Sequence, residues 1–425
     1  VRVSGANLTS LSSAITGREL VPRVATYTPF IDEAGEILDQ GIALYFTAPN
    51  SFTGEEVLEL QGHGGPAVLQ SVLHRCIGLG ARLAQPGEFS QRAFLNGKLD
   101  LAQAESIADL IAATTQQAAK SAVRSLNGEF SRAITSVLEK IIRLRAFVEA
   151  TLDFPEEEGV VVVDSDHLLG DLRILKGELE HIESLATQGN ILREGAQVVL
   201  IGAPNAGKSS LLNLLSGEEV AMVSDIPGTT RDTIRQALQI DGIPIHLIDT
   251  AGIRETDDVL EQMGIHRARQ SMDKADLLIL LVDASDETTV NNQIEAEISG
   301  GSTPTIIVHN KIDLAGVPAS VETSNGTTQV FLSAKTGEGI EHLRSAILSA
   351  VGWHREEGVF MARSRHTEAI SQALSALRGA ETSSSQLELF AESLRQSQNA
   401  LNQITGEFVA DDLLGEIFGK FCIGK

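Results

Sequence analysis

The feature that most constrains this chain is Gly202-Ala203-Pro204-Asn205-Ala206-Gly207-Lys208-Ser209, which fits G-x-x-x-x-G-K-S. It follows the apolar run Gln197–Ile201 and opens a helical pattern, the context that gives the motif its meaning. A loop in that place turns backbone N–H groups toward phosphate oxygens, and the helix N-terminus adds partial positive charge. Lys208 then reaches the β and γ phosphates, the Ser209 hydroxyl serves Mg²⁺, and Ala206 and Ser210 complete the contact set. The surrounding residues alternate strand and helix. Strands are expected at Gln197–Ile201, Ile243–Ile248, Leu277–Val282, Thr305–Val308 and Val330–Leu332. Several are continuous apolar runs, as in a parallel sheet covered on both faces. Residues 193–352 are therefore expected to form a doubly wound α/β domain.

Later motifs name the ligand. Asp249-Thr250-Ala251-Gly252 sits at a strand end, where Asp249 can hold Mg²⁺ through water and the Gly252 N–H can face the γ-phosphate. Asn310-Lys311-Ile312-Asp313 ends another strand. Its Asp313 carboxylate accepts from the guanine N1–H and exocyclic amine, donors that adenine lacks. Ser333-Ala334-Lys335 supplies the loop that buttresses the base. In this order the motifs resemble the translation-factor-like P-loop GTPases, and GTP is the expected substrate. Catalysis needs a further part. Where related enzymes carry a water-orienting Gln, this chain has Ile253, which cannot hydrogen-bond. Two solutions fit: an arginine finger, or a monovalent cation held by the Asn205 carbonyl and by backbone carbonyls near Ser224 and Ile226. By residue chemistry alone Asn205 serves equally well as a local turn cap. The segment Asp225-Ile226-Pro227-Gly228-Thr229-Thr230 would wrap over the phosphates as a switch, with Thr230 as second Mg²⁺ hydroxyl ligand.

The rest of the chain divides by texture. Residues 1–97 mix short β-like runs (Val21–Phe30, Gly41–Phe46, Val57–Leu60) with a helix near Ala67–Leu79, an α+β domain. Residues 98–192 and 353–425 carry helical spacing, with runs at 134–152, 165–187, 367–381, 387–404 and 410–418 and a break at Asn127-Gly128. One helical domain interrupted by the α/β domain accounts for this order. With two cysteines the chain is neither a disulfide scaffold nor a cysteine-rich metal site, which fits a reducing cytoplasm. No apolar run reaches the roughly 18–20 residues of a membrane span. The net charge of −24 excludes non-specific coating of nucleic acid. Arg363, Arg365 and His366 form a small basic cluster that reads as a solvated turn, and His63, between glycines, reads as structural.

Several blocks carry a more specific signature: Asn50–Glu56, Gly62–Pro66, the stretch Pro86–Glu105 and the final Phe421-Cys422-Ile423-Gly424-Lys425, with Gly228–Asp232 and Asp249–Arg254 around the GTPase motifs. Together they resemble the MnmE (TrmE) family of tRNA-modification GTPases along essentially the whole chain. That resemblance implies a folate-binding N-terminal domain, a discontinuous helical domain and an inserted GTPase domain. It also implies a homodimer whose GTPase domains associate in a potassium-dependent way, and a flavin-dependent partner, MnmG. The pair forms an aminomethyl or carboxymethylaminomethyl group on the wobble uridine of tRNA, with a tetrahydrofolate derivative (5,10-methylene- or 5-formyl-) giving the one-carbon unit. On the matching positions, Asn205, Ser224, Ile226 and Thr229 become potassium ligands and Glu261 the water-orienting group. Folate contacts map to Arg2, Glu59, Lys98 and Lys425, cations for the pterin carbonyl or glutamate tail and a carboxylate for pterin N–H donors. Cys422 is a candidate thiol for modification, though its apolar flanks suit a buried small hydrophobe equally well. Family members carry a strand and glycine-rich turn ahead of the segment matching Val1, so the N-terminus as given is expected to be incomplete.

Overall fold

Alternation of apolar and polar residues builds the first sheet. Strands β1 (Arg2–Gly5), β2 (Thr26–Ile31), β3 (Ile37–Phe46) and β4 (Glu56–Gln61) pair antiparallel in the order β1-β4-β3-β2. Period two puts Phe30, Ala43, Tyr45, Leu58 and Leu60 on one face. They pack on Leu11 and Ile15 of helix α1 (Thr9–Thr16) and on Val72 and Cys76 of helix α2 (Pro66–Gly78). The computed structural model describes residues 1–153, 165–217, 235–249, 275–285, 303–324 and 327–406, with 272, 417 and 419 besides.

The helices that follow are α3 (Glu88–Leu95), α4 (Leu101–Ala112), α5 (Gln116–Leu126), α6 (Glu129–Asp153) and α7 (Ser165–Glu194). The break expected at Asn127-Gly128 falls between α5 and α6, where Gly128 takes φ +78°. Chain contacts divide the molecule into two compact units, residues 1–108, 126–171 and 375–425, and residues 109–125 and 172–374.

The second unit is built on a seven-stranded sheet. Chain order runs β5 (Ala196–Gly202), α8 (Lys208–Ser216), β6 (Arg235–Ile240), β7 (Ile243–Asp249), β8 (Leu277–Asp283), β9 (Thr305–Asn310), α9 (Ile312–Ala315), β10 (Ser320–Ser324), β11 (Thr327–Phe331) and α10 (Ile340–Ala350). Spatial order is β10-β11-β9-β8-β5-β7-β6. The sheet is mixed rather than wholly parallel. Its inner five strands are parallel, while β6 and β10 close the two edges antiparallel. Among the described residues the centre is apolar throughout: Leu277–Val282 are all buried, because helices and loops cover both faces. Order reverses beside β5, which places the crevice at its carboxyl end, where open α/β sheets bind ligands.

Two further helices, α11 (Ser364–Thr382) and α12 (Leu387–Thr405), follow. In the first unit α6 and α12 lie together. Phe130, Ile134, Ile141 and Val148 form the buried stripe of one, and Phe390, Leu394, Leu401 and Ile404 that of the other. Arg145 adds a 2.5 Å hydrogen bond to Gln398 Oε1.

The cluster Arg363, Arg365, His366 is not a solvated turn. His366 is buried, and its Nδ1 accepts the Arg363 N–H at 3.1 Å. The Arg363 guanidinium donates to both oxygens of buried Asp109, at 2.8 and 3.3 Å, and Arg193 donates to the same carboxylate at 2.9 Å. A buried carboxylate between two arginines is compensated rather than orphaned.

Candidate guanine-nucleotide site

Strand β5 hands directly to the phosphate loop. Asn205 takes φ +65° and Gly207 φ +101°, and α8 begins at Lys208 with no side-chain cap. The first amides of α8 therefore remain for an anion. Glycine is required at 207 twice over. The φ is left-handed, and a Cβ there would strike Asn310 Nδ2. Ser209 and Ser210 are exposed at the first turn of α8. The Lys208 ammonium bends back on the loop, 2.5 Å from Gly202 O and 2.9 Å from Ala203 O. Phosphate oxygens would replace those two carbonyls.

The base-recognition loops meet the phosphate loop through one side chain. Asn310, buried at the end of β9, donates from Nδ2 to Ala206 O at 2.8 Å and accepts at Oδ1 from Ala334 N at 2.8 Å. Ser333 Oγ donates to Asp313 Oδ1 at 2.7 Å and accepts from Thr336 N at 3.2 Å. Asn310, Asp313, Ser333 and Ala334 are thus joined before any base arrives. The Asp313 carboxylate is an acceptor suited to the N–H donors of the guanine edge, and the uncapped helix with Lys208 and Ser209 fits a nucleotide phosphate with Mg²⁺.

One member of the cluster, Asp283, was not anticipated, although its partner Lys311 was. Lys311 takes φ +67°, and its Nζ lies 2.5 Å from Asp283 Oδ2. Asp283 in turn accepts from the Ser285 amide at 3.0 Å and hydroxyl at 2.6 Å. Burial pushes the Asp283 carboxyl up, but the Lys311 ammonium and Ser285 outweigh it and leave it below the usual carboxylate range. The only signal in the sequence is an acidic residue closing the apolar run Leu277–Val282 at the sheet's carboxyl edge.

Several expected site residues lie outside the described residues: Ser224, Asp225, Ile226, Pro227, Gly228, Thr229, Thr230, Thr250, Ala251, Gly252, Glu261, Cys422 and Lys425. Asp249 ends β7, where its motif was placed, although its side chain is also outside them. Lys335 follows Ala334 in the buttressing loop and is exposed.

The residues matched to folate contacts divide similarly. Glu59 and Lys98 line one cavity of about 370 Å³ with Arg23, Phe46, Phe52 and Val57. Arg2 pairs with Glu59 at 2.8 Å, and its guanidinium lies 5.7 Å from the ring centres of both Phe52 and Phe89. An aromatic wall with one carboxylate and two lining cations, Arg23 and Lys98, fits a flat, N–H-rich heterocycle carrying an anionic tail. His63 is not packed away. Its ring is exposed, and Nδ1 lies 2.8 Å from Asp39 Oδ1, while its amide donates to Oδ2.

A family model described as the MnmE helical domain matches residues 101–422, and one described as the GTP-binding protein TrmE N-terminus matches residues 1–98. A protein of Nitrosomonas eutropha named tRNA modification GTPase MnmE is 54% identical over 431 residues, covering 100% of this chain and 95% of its own length. One of the same name from Thiobacillus denitrificans is 55% identical over 428 residues, covering 100% and 94%. Another, from Chromobacterium violaceum, is 53% identical over 427 residues, covering 100% and 95%.

Proposed function

The chain belongs to the MnmE (TrmE) family of tRNA modification GTPases, and from that premise we propose how its own residues carry out the cycle. It is a GTP-hydrolysing enzyme of tRNA modification, and on our reading the site just described is where GTP and Mg²⁺ bind. The observation that carries the nucleotide reading is Asn310, which bonds the phosphate loop through Ala206 and the base loop through Ala334.

In the proposed cycle Lys208 leaves the loop carbonyls for the β and γ phosphates, and Ser209, Thr230 and Asp249 hold Mg²⁺. Asn205, with the carbonyls of Ser224, Ile226 and Thr229, holds potassium, which supplies positive charge where the transition state gathers negative charge. Glu261 orients the attacking water in place of the Gln that Ile253 replaces. The GTPase domains of two copies associate across their switches. Residues 1–97 act as the folate-binding domain and 98–192 with 353–425 as the helical domain, the GTPase domain being 193–352. Arg2, Glu59, Lys98 and Lys425 bind a tetrahydrofolate derivative. With the flavin-dependent partner MnmG, the chain builds the aminomethyl or carboxymethylaminomethyl group on wobble uridine 34, and Cys422 is a candidate participant. A cytoplasmic enzyme suits this chemistry. Among the described residues no helix is long and apolar enough to cross a membrane.

The test is steady-state GTP hydrolysis in potassium and in sodium at equal ionic strength, for the native chain and Glu261→Ala. Stimulation by potassium of at least about tenfold, with activity lost in the variant, is the expected result. Equal rates in both salts and an unaffected variant would sink the cation mechanism.

A further inference from the structure

The β8 terminus carries a group that the nucleotide reading has not used. Asp283 stands opposite Asn310 in the β8–β9 register, and Ala284 N donates to Asn310 O at 2.8 Å. Its carboxylate has two holds: Ser285 fixes Oδ1, and Oδ2 receives the Lys311 ammonium. The Asp283 side chain is 16% exposed and that of Lys311 29%. This is therefore not the solvated ion pair of a surface, which contributes little. Lys311 also begins from a left-handed backbone, and it sits between Asn310, which ties the loops, and Asp313, which reads the base.

We propose that Asp283 is a positioning residue for guanine-nucleotide binding: it clamps the Lys311 ammonium, so that the lysine's methylene chain is set beside the base before the nucleotide arrives. A free lysine carries among the largest rotamer entropies of any side chain. Fixing it in the empty protein removes that loss from the binding step, which is how preorganisation raises affinity. The role rests on the guanine reading of Asp313.

The test is a double-mutant cycle on the full chain, with GDP binding measured by titration calorimetry. The proteins are native, Asp283→Ala, Lys311→Met and the double variant. Asp283→Ala is expected to raise the Kd for GDP about tenfold when Lys311 is present. When Lys311 is already Met the rise is expected to stay below about twofold. Asp283→Glu, which keeps the charge, is expected to recover part of the affinity. A loss of equal size in both backgrounds, or no loss in either, overturns the clamp. Should Asp283→Ala not fold, Asp283→Asn, of the same shape and uncharged, gives the same cycle. A native chain that fails to bind GDP sinks the guanine reading and the clamp together. Tight native binding with an uncoupled loss sinks the clamp alone.

Discussion

At Glu88 a single carboxylate accepts from Arg82, Arg92 and the Gln85 amide, at 2.5 to 3.2 Å. Arg92 goes on to Glu55 at 2.7 Å. The Arg82 hydrogen bonds do most to lower the Glu88 carboxyl; burial opposes them, and Gln85 and Arg92 add to the lowering, leaving it at about 2. A carboxyl depressed in the folded state stabilises that state above its unfolded value. The contribution is lost as pH falls from about 4.5 toward about 2. Glu88→Gln is therefore expected to cost about 2–3 kcal/mol at neutral pH, with the gap from the native chain closing as pH falls through that window. Urea unfolding of both proteins at several pH values checks this. A gap that does not change with pH would contradict it.

Between elements, the strongest packing statement concerns α6 and α12. Leu394 is fully buried in that stripe. Leu394→Ala removes its buried methyls and leaves a cavity, so a loss of about 2–5 kcal/mol in unfolding free energy is expected. A loss under about 1 kcal/mol would mean that the helix pair is not packed as described. This scale also shows what a sequence can reveal. The run from Ile134 to Leu152 and the apolar run Leu277–Val282 declared their elements, because each carries its own period or burial. Strands β6 and β10 did not. Gln236, Gln239, Glu322 and Thr323 break the apolar pattern, as befits edge strands that pair on one side only, each in a hairpin with the strand that follows it. The run read from Val21 likewise begins as a strand only at Thr26, since Arg23 at φ +64° turns the chain and Val21 and Val24 stay exposed. Arg363 looked solvated because its partner, Asp109, is 254 positions away. Asp283 escaped notice for the same reason. Its importance depends on Lys311 crossing from a neighbouring strand, which spacing within one segment cannot show.

For the molecule as a whole, two candidate sites sit on one acidic chain of net charge −24. The phosphate loop, Asp313 and Ser333 were legible because local backbone and motif order define them. Arg2, Glu59 and Lys98 were singled out one by one through family resemblance; that Arg2 pairs with Glu59, and that Glu59 and Lys98 share a cavity, was not legible, because those residues are far apart in sequence. The most direct test of the account concerns Asp313, the residue proposed to read guanine. Hydrolysis of GTP and XTP would be measured side by side for the native chain and Asp313→Asn. Xanthine carries a carbonyl where guanine carries its amine, so an amide at 313 suits it and leaves guanine's donor unpaired. The account predicts that Asp313→Asn loses GTP hydrolysis by about 100-fold or more and gains XTP hydrolysis. Undiminished use of GTP, with no gain for XTP, would contradict it.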